Sequence, residues 1–529
     1  MKESEIFETA AAAAPHRAAA ETGRAILAAG GNAIEAMIGM AATIAVVYPH
    51  MNAIGGDGFW LIREPGGRVR YIEACGPAGA RATPARYRQL GYDAIPPRGP
   101  LAAVTIPGAV GGWALARELG QASGGRLPLP DLLGDAIRFA REGYLQSPSE
   151  ARTVPLEAAA LREAPGFVET FLVDGKVPAA GTLRRAETLA ATLEQLASAG
   201  LDDFYRGDVG RELAIDMDRI EAGGTRADLE GYRAVLREPL VLKLAGRTHY
   251  NAPPPTQGLA SLLVLGIFER LGTKQPESFG HIHGLIEATK RALAIRDRAC
   301  TDFEKLRYQP GDFLTTDALQ READAISMTK AAAWPVSPAT GDTVWMGAID
   351  KDGLAVSFIQ SIFWEYGSGC VLPRTGVLLQ NRGSSFSLDP AAVNPLAPGR
   401  RPFHTLNPPL AVFDDGRVMS YGSMGGDGQP QFQAQVFTRV LFGDSVASAI
   451  DRPRFLFGRT WGEESAGLRI EPRFDDDLVR DLQRAGHDVE LAPLPYADTF
   501  GHVGALIRSP NGRIEAGHDP RSDGGAAGV

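Results

Sequence analysis

The chain has 529 residues, 44% of them hydrophobic and 22% charged, and a formal net charge of −9. That acidic balance argues against a broad basic face for nucleic acid, and the apolar content is enough for large packed cores. The three cysteines, Cys75, Cys300 and Cys370, stand far apart with no metal-type spacing, so neither a disulfide framework nor a cysteine-held metal is expected. The first residues mix acids with alanine and lack a basic segment followed by an apolar core, unlike a secretion signal. The most apolar early stretch, 33–48, carries Glu35 and is too short to span a bilayer. A soluble, cytoplasmic protein without a nucleic-acid or membrane partner is expected.

Taken in chain order, residues 17–49 read as helix on either side of a Gly30-Gly31-Asn32 break. The cluster Gly55-Gly56-Asp57-Gly58 leads into a short strand, Phe59-Trp60-Leu61-Ile62. Helical patterns fill 130–143, 183–200, 209–222 and 281–297, and Pro253-Pro254-Pro255-Thr256-Gln257-Gly258 punctuates the middle and starts another helix. No period of 20 to 50 residues recurs, which excludes a solenoid. After Pro335 the texture changes. A loop through Gly341 runs into Asp342-Thr343, and strands are expected at 343–349, 354–362, 376–381, 408–414 and 417–421. Helices follow at 430–450 and 475–486, then strands near 502–508 and 513–517. The composition shift near 340 is the best internal boundary, and the pattern suggests sheets with helices on their outer faces, an α+β arrangement.

The boundary places Thr343 at the start of a strand. A threonine hydroxyl is a weak nucleophile, and one way to activate it is to make threonine the first residue of a chain, so that its own α-amine takes the proton. A mid-chain threonine reaches that state only if the bond after Asp342 breaks. Read on its own, Thr343 is equally an ordinary β-branched strand residue.

Ordered motifs along the chain add weight to the first reading. Gly30-Gly31-Asn32-Ala33-Ile34-Glu35-Ala36, Pro49-His50 and Ile54-Gly55-Gly56-Asp57-Gly58-Phe59 resemble the N-terminal signature of the γ-glutamyltranspeptidase family. Thr343 with Asp350, Gly353, Ala355-Val356 and Tyr366-Gly367-Ser368-Gly369 resembles the start of that family's small subunit. Gly376 to Asn381, Arg401-Pro402, Gly422-Ser423-Met424-Gly425-Gly426 and Asp519-Pro520-Arg521 match further blocks in the same order. The resemblance implies an N-terminal-nucleophile hydrolase fold, a four-layer αββα sandwich. Autocleavage between Asp342 and Thr343 would give a large subunit 1–342 and a small subunit 343–529. The two would form one intertwined catalytic unit, an αβ heterodimer that could pair into (αβ)2. It further implies Thr343 as nucleophile, Ser361 as the hydroxyl that orients its amine, and Gly425 and Gly426 as backbone oxyanion donors. No cofactor and no metal are implied.

The departures from the family pattern bear on substrate. Where the transpeptidases place an arginine for the α-carboxylate, this chain has Glu73, and the asparagine two residues after the second threonine becomes Phe363. Their amino-binding glutamine and aspartate become Arg382 and Ser385, and their paired serines become His404 and Thr405. A guanidinium in place of an anion repels an ammonium and holds a carboxylate. Arg382, His404, Thr405 and Phe363 are therefore the expected substrate contacts, although Arg382 could also be a surface ion pair and Phe363 a core residue. The pattern resembles the oxamate amidohydrolase branch, which turns oxamate into oxalate and ammonia during purine-nitrogen breakdown. Two other readings remain: a γ-glutamyl hydrolase or transpeptidase acting on glutathione, and an uncleaved homologue that binds a metabolite without turning it over.

Three other signals are weaker. Ser327-Met328-Thr329-Lys330 fits an S-x-x-K pattern without its usual companions and reads as a helix end. His281-Ile282-His283 has metal-like spacing without an evident third ligand, so a cap or surface role is expected. The Gly425-to-Gly428 run lacks a phosphate-loop lysine.

Overall fold

A computed structural model describes residues 3–334, 342–458 and 467–529, with the backbone alone for Asp342 and 155–158. The expected loop 335–341 lies outside the described residues. Two seven-stranded antiparallel sheets form the centre. The first runs Gly525–Gly528, Ala11–Ala14, Asp342–Ile349, Ala355–Phe363, Asp57–Arg63, Val69–Ala74, Val235–Arg237. The second runs Glu5–Phe7, Ile514–His518, Val503–Arg508, Val418–Ser423, Leu410–Phe413, Arg247–Asn251, Leu240–Leu244. Each sheet takes strands from both sides of residue 342, so the two parts of the chain share both cores.

Alternation along the strand Asp342–Ile349 sets the layers. Val344, Met346 and Ala348 face helices Arg17–Ala28, Ala33–Val47, Ala109–Ala122 and Leu129–Glu142 on the outer side. Trp345 and Ile349 face the other sheet, against Val418 and Leu506. The Trp345 indole needs glycine opposite it: a Cβ at Gly422 would lie 2.1 Å from the ring, and one at Gly504 2.3 Å. The second sheet's outer face is covered by helices Gly258–Arg270, Phe279–Ala299, Gln429–Leu441 and Val446–Asp451. The result is a four-layer αββα sandwich, as expected. Among the described residues, no helix is long and apolar enough to cross a membrane.

Several sequence motifs prove to be joints. Asn32 caps helix Ala33–Val47 in a capping box with Glu35. The Ala33 N–H donates to Asp350 Oδ2 at 3.0 Å, tying that helix to the turn after the Thr343 strand. Asp519 and Arg521 join Arg454 and Glu471 in a fully buried ion network.

Four expectations need correction. The helix expected at 183–200 begins only at Glu187, because Leu183 and Arg184 pair as a short strand with Leu145 and Tyr144. Residues 376–381 form no strand but run extended with isolated bridges such as Gly55 to Leu379, because they wrap the strand end at Phe363. The helix expected at 430–450 is two, Gln429–Leu441 and Val446–Asp451, broken at Gly443 with φ 101°. His281 and His283 are buried, not at the surface, while His281 keeps a contact at the helix start, its Nδ1 accepting the Glu277 N–H at 3.1 Å. His281 bonds Thr438 Oγ1 at 2.9 Å, and His283 bonds His487 and the Ser327 carbonyl, both at 2.8 Å. Glu287 lies close enough to make a His283–Glu287–His487 group, but Lys290 already neutralises its carboxylate at 2.7 Å.

Candidate active site

Thr343 lies at the start of its strand, on the face turned toward the second sheet by the alternation that places Trp345 there, and is fully buried. The register slips at this point: Asp342 pairs with Phe363 and Val344 with Gln360, so Ser361 and Ile362 bulge together opposite Thr343. Ser361 pairs in turn with Asp57 on the next strand. Three adjacent strands therefore set Thr343, Ser361 and Asp57 in one polar row between the sheets. Gly56 allows this closeness, since a Cβ there would fall 2.2 Å from the Ser361 carbonyl oxygen. Ser361 Oγ also receives the Phe363 N–H at 2.8 Å.

Over the row from the second sheet comes the turn at Gly425 and Gly426. Both have left-handed backbone, φ 117° and 53°, and lead into helix Gln429–Leu441. Gln257 fixes the turn by donating to the Gly426 carbonyl at 2.7 Å, and Arg296 pairs with both Gln257 Oε1 and Asp427. Gln429, at the first turn of the helix, donates its amide to Thr343 Oγ1 at 3.5 Å while its Oε1 accepts from Asn407 at 3.1 Å. Backbone N–H groups at such a turn and helix start form a place where negative charge is stabilised.

The third side is polar and under-satisfied. Arg382 is 1% exposed, and none of its three guanidinium nitrogens has a hydrogen-bond partner among the described residues. It lies over the Phe363 ring at 4.0 Å, and Phe363 itself holds φ 84°, a conformation a bulky residue rarely adopts. Burial lowers the Arg382 pKa to about 9, partly offset by Asp57. His404 is held neutral, first by burial and then by Arg382 and Arg401. Its ring nitrogens, Thr405 Oγ1, the Gln380 amide and Asp57 Oδ2 likewise have no hydrogen-bond partner among the described residues. Buried polar atoms are normally satisfied, so such a cluster is a candidate place for the groups of a ligand.

The sequence-predicted residues thus fall around one locus. Arg382 is not a surface ion pair, and Phe363 is less a core residue than a support for the guanidinium. Glu73 does not face a ligand unpaired: Arg237 and Arg401 neutralise it at 2.9 and 3.1 Å. Ser385 donates to the Phe403 carbonyl at 3.2 Å. Sequence reading missed Gln429, Gln257 and Asn407, whose roles depend on contacts over long chain separations. Asp57 stands in a glycine-rich block, where an acid between glycines before an apolar strand is the available signal.

The gamma-glutamyltranspeptidase family model matches residues 19–529. Over 100% of both chains, this one is 49% identical to the oxamate amidohydrolase proenzyme of Klebsiella pneumoniae. It is 36% identical to the glutathione hydrolase-like YwrD proenzyme of Bacillus subtilis, again over 100% of both. Among solved structures, the cephalosporin acylase from Bacillus halodurans superposes with a TM-score of 0.91 at 31% identity, covering 100% of this chain and 97% of that one.

Proposed function

The chain belongs to the gamma-glutamyltranspeptidase family and is an amide-hydrolysing enzyme; from that premise we propose that it cleaves itself between Asp342 and Thr343 and then hydrolyses a small anionic amide, oxamate, to oxalate and ammonia. The observation that carries the substrate half is the buried, unpartnered guanidinium of Arg382 beside the polar row of Thr343 and Ser361. The Klebsiella relative's name points the same way.

Maturation begins when the Thr343 hydroxyl attacks the Asp342 carbonyl carbon, moving the acyl group from nitrogen to oxygen; water then opens the ester. This yields subunits 1–342 and 343–529, held together as a heterodimer because both sheets are shared. The freed α-amine, with a reference pKa near ~7.7–8.0, accepts the Thr343 hydroxyl proton as the oxygen attacks the substrate amide. Ser361 orients that amine. The oxyanion gathers on the N–H groups of Gly425 and Gly426, a contribution often worth ~3–4 kcal/mol per well-placed donor. Collapse expels ammonia, which takes the proton back from the α-ammonium, and water hydrolyses the threonyl ester by the same base. Arg382 holds the substrate carboxylate, with His404 and Thr405 as neutral hydrogen-bonding partners and the Phe363 ring limiting the pocket's length. No metal or cofactor takes part, and the three free, separated cysteines fit a cytoplasmic setting.

The test is ammonia release from a panel of oxamate, neutral amides of similar size, glutathione and γ-glutamyl anilides. Oxamate should be hydrolysed far better than the rest. Preference for glutathione or the anilides would return the chain to γ-glutamyl chemistry, and binding without turnover of any amide would make it a metabolite-binding homologue.

A further inference from the structure

Asp57 is 1% exposed, and its two carboxylate oxygens lead different lives. Oδ1 receives the backbone N–H groups of Gly76 and Gly108, at 3.1 and 3.0 Å. Oδ2 has no hydrogen bond of good geometry among the described residues: the Gln380 amide lies near enough to favour its ionised form without closing a bond, and the His404 Nε2 nitrogen stands off at 3.7 Å. Stapling two loops explains Oδ1 alone. An asparagine oxygen would serve that purpose without burying a charge, so the second oxygen calls for its own account. Its place in the fold supplies one: by strand register Asp57 shares a sheet face with Ser361, and Ser361 lies in the bulge opposite Thr343. The carboxylate therefore opens on the same locus as Arg382, but with the opposite chemistry.

A ligand with only anionic oxygens satisfies Arg382 and sets lone pairs against Asp57 Oδ2. A ligand with a carboxylate at one end and an N–H donor at the other satisfies both. Burial pushes the Asp57 carboxyl up to about 7, with the Gly76 N–H, Gln380, Arg382 and the Gly108 N–H keeping it from rising further. A donor delivered by the ligand stabilises its ionised form.

We propose that Asp57 is the acceptor half of the substrate pocket: Arg382 holds the carboxylate of the ligand while Asp57 Oδ2 receives an N–H from the same molecule, so that the site prefers a monoanionic amide over the dicarboxylate its hydrolysis yields. This rests on the amidohydrolase reading above. It gives the site a way to release product. Once ammonia has left, the N–H donor is gone and a second negative charge faces Asp57.

The experiment measures the KM for oxamate and the inhibition constant for oxalate in the wild-type enzyme and in Asp57→Asn. Asparagine keeps an oxygen for Gly76 and Gly108 and turns the other position into a donor. In the wild type, oxalate should bind at least about tenfold more weakly than oxamate, although it offers Arg382 two carboxylates. In Asp57→Asn the KM for oxamate should rise and the oxalate constant should fall, each by about tenfold. A wild type that binds oxalate more tightly than oxamate overturns the proposal, without any need for the variant to fold. So does a processed Asp57→Asn enzyme in which the ratio of the two constants is unchanged; with oxamate still turned over, the amidohydrolase reading survives that result. If the wild type does not hydrolyse oxamate, the substrate reading fails. Asp57 is then judged by thermal shifts with oxamate and oxalate, where the same opposite movement supports it and parallel movement overturns it.

Discussion

Replacing Arg382 by glutamine removes a cation that the fold buries with no hydrogen-bond partner among the described residues. Burial lowers its pKa to about 9, which at ~1.4 kcal/mol per pKa unit sets on the order of several kcal/mol against the charged form. The folded value still lies above neutral pH, so the group stays cationic there and the full penalty acts on the folded state. The Phe363 face at 4.0 Å returns part of it, about 1–2 kcal/mol for a desolvated cation–π contact. Glutamine leaves an amide of its own to satisfy, at about 1–3 kcal/mol. Arg382→Gln should therefore fold normally and gain on the order of 1 kcal/mol, a rise of a degree or more in Tm. Its use of oxamate should fall about ten- to a hundredfold, the worth of a charge-assisted contact. Differential scanning fluorimetry in a Thr343→Ala background, which cannot turn oxamate over, reads both effects. Oxamate at tenfold its Kd should stabilise the Arg382 protein by about 1.4 kcal/mol and, at the same concentration, the glutamine protein by no more than about 0.4 kcal/mol. A glutamine variant that is less stable and responds equally to oxamate would mean that the guanidinium is paired and the carboxylate is held elsewhere.

Other perturbations separate the remaining roles. Ser361→Ala should lower kcat more than it raises KM and shift the pH profile of kcat, since the hydroxyl orients the base and not the substrate; an unchanged profile would remove Ser361 from the mechanism. Asp57→Asn should raise Tm at pH 8 and much less at pH 5. The wild-type carboxyl is raised from 3.8 to about 7, so its contribution to stability is full below the unfolded value and is lost as pH rises through the folded one. Equal shifts at both pH values would mean Asp57 is not the titrating group. Gln429→Leu should slow turnover several-fold by removing the amide that reaches Thr343 Oγ1, measured as kcat on the fully processed protein. Unchanged kcat would leave Gln429 a purely structural partner of Asn407.

The layered fold was legible where the period was clear. The helix pair around Asn32, the strand through Trp60 and the strands Asp342–Ile349, Ala355–Phe363, Leu410–Phe413 and Val418–Ser423 stand where the hydrophobic pattern put them. Short alanine strands such as Ala11–Ala14 were not, because four small apolar residues carry no period and take their strand form from pairing with Gly347 to Ile349 and with the C-terminus. Residues 376–381 read as a strand because Val377, Leu378 and Leu379 are buried, yet they serve to bring Gln380, Asn381 and Arg382 around the end of the Phe363 strand. At the site, Thr343, Ser361, the glycine pair and Arg382 were legible through the chain's resemblance to the family's ordered motifs. Asp57 and Gln429 were not, since what marks them is an unmet acceptor and a reach across 86 residues of chain, both products of the fold.

Thr343 must become an N-terminus for the proposed chemistry to run. Intact-mass analysis and N-terminal sequencing of the denatured, freshly purified protein decide this, beside Thr343→Ala prepared in the same way. The wild type should resolve into two fragments, the smaller reading Thr-Val-Trp, while the alanine variant remains one chain. A single uncleaved wild-type chain that nonetheless hydrolyses amides, or an alanine variant cut at the same bond, would contradict it.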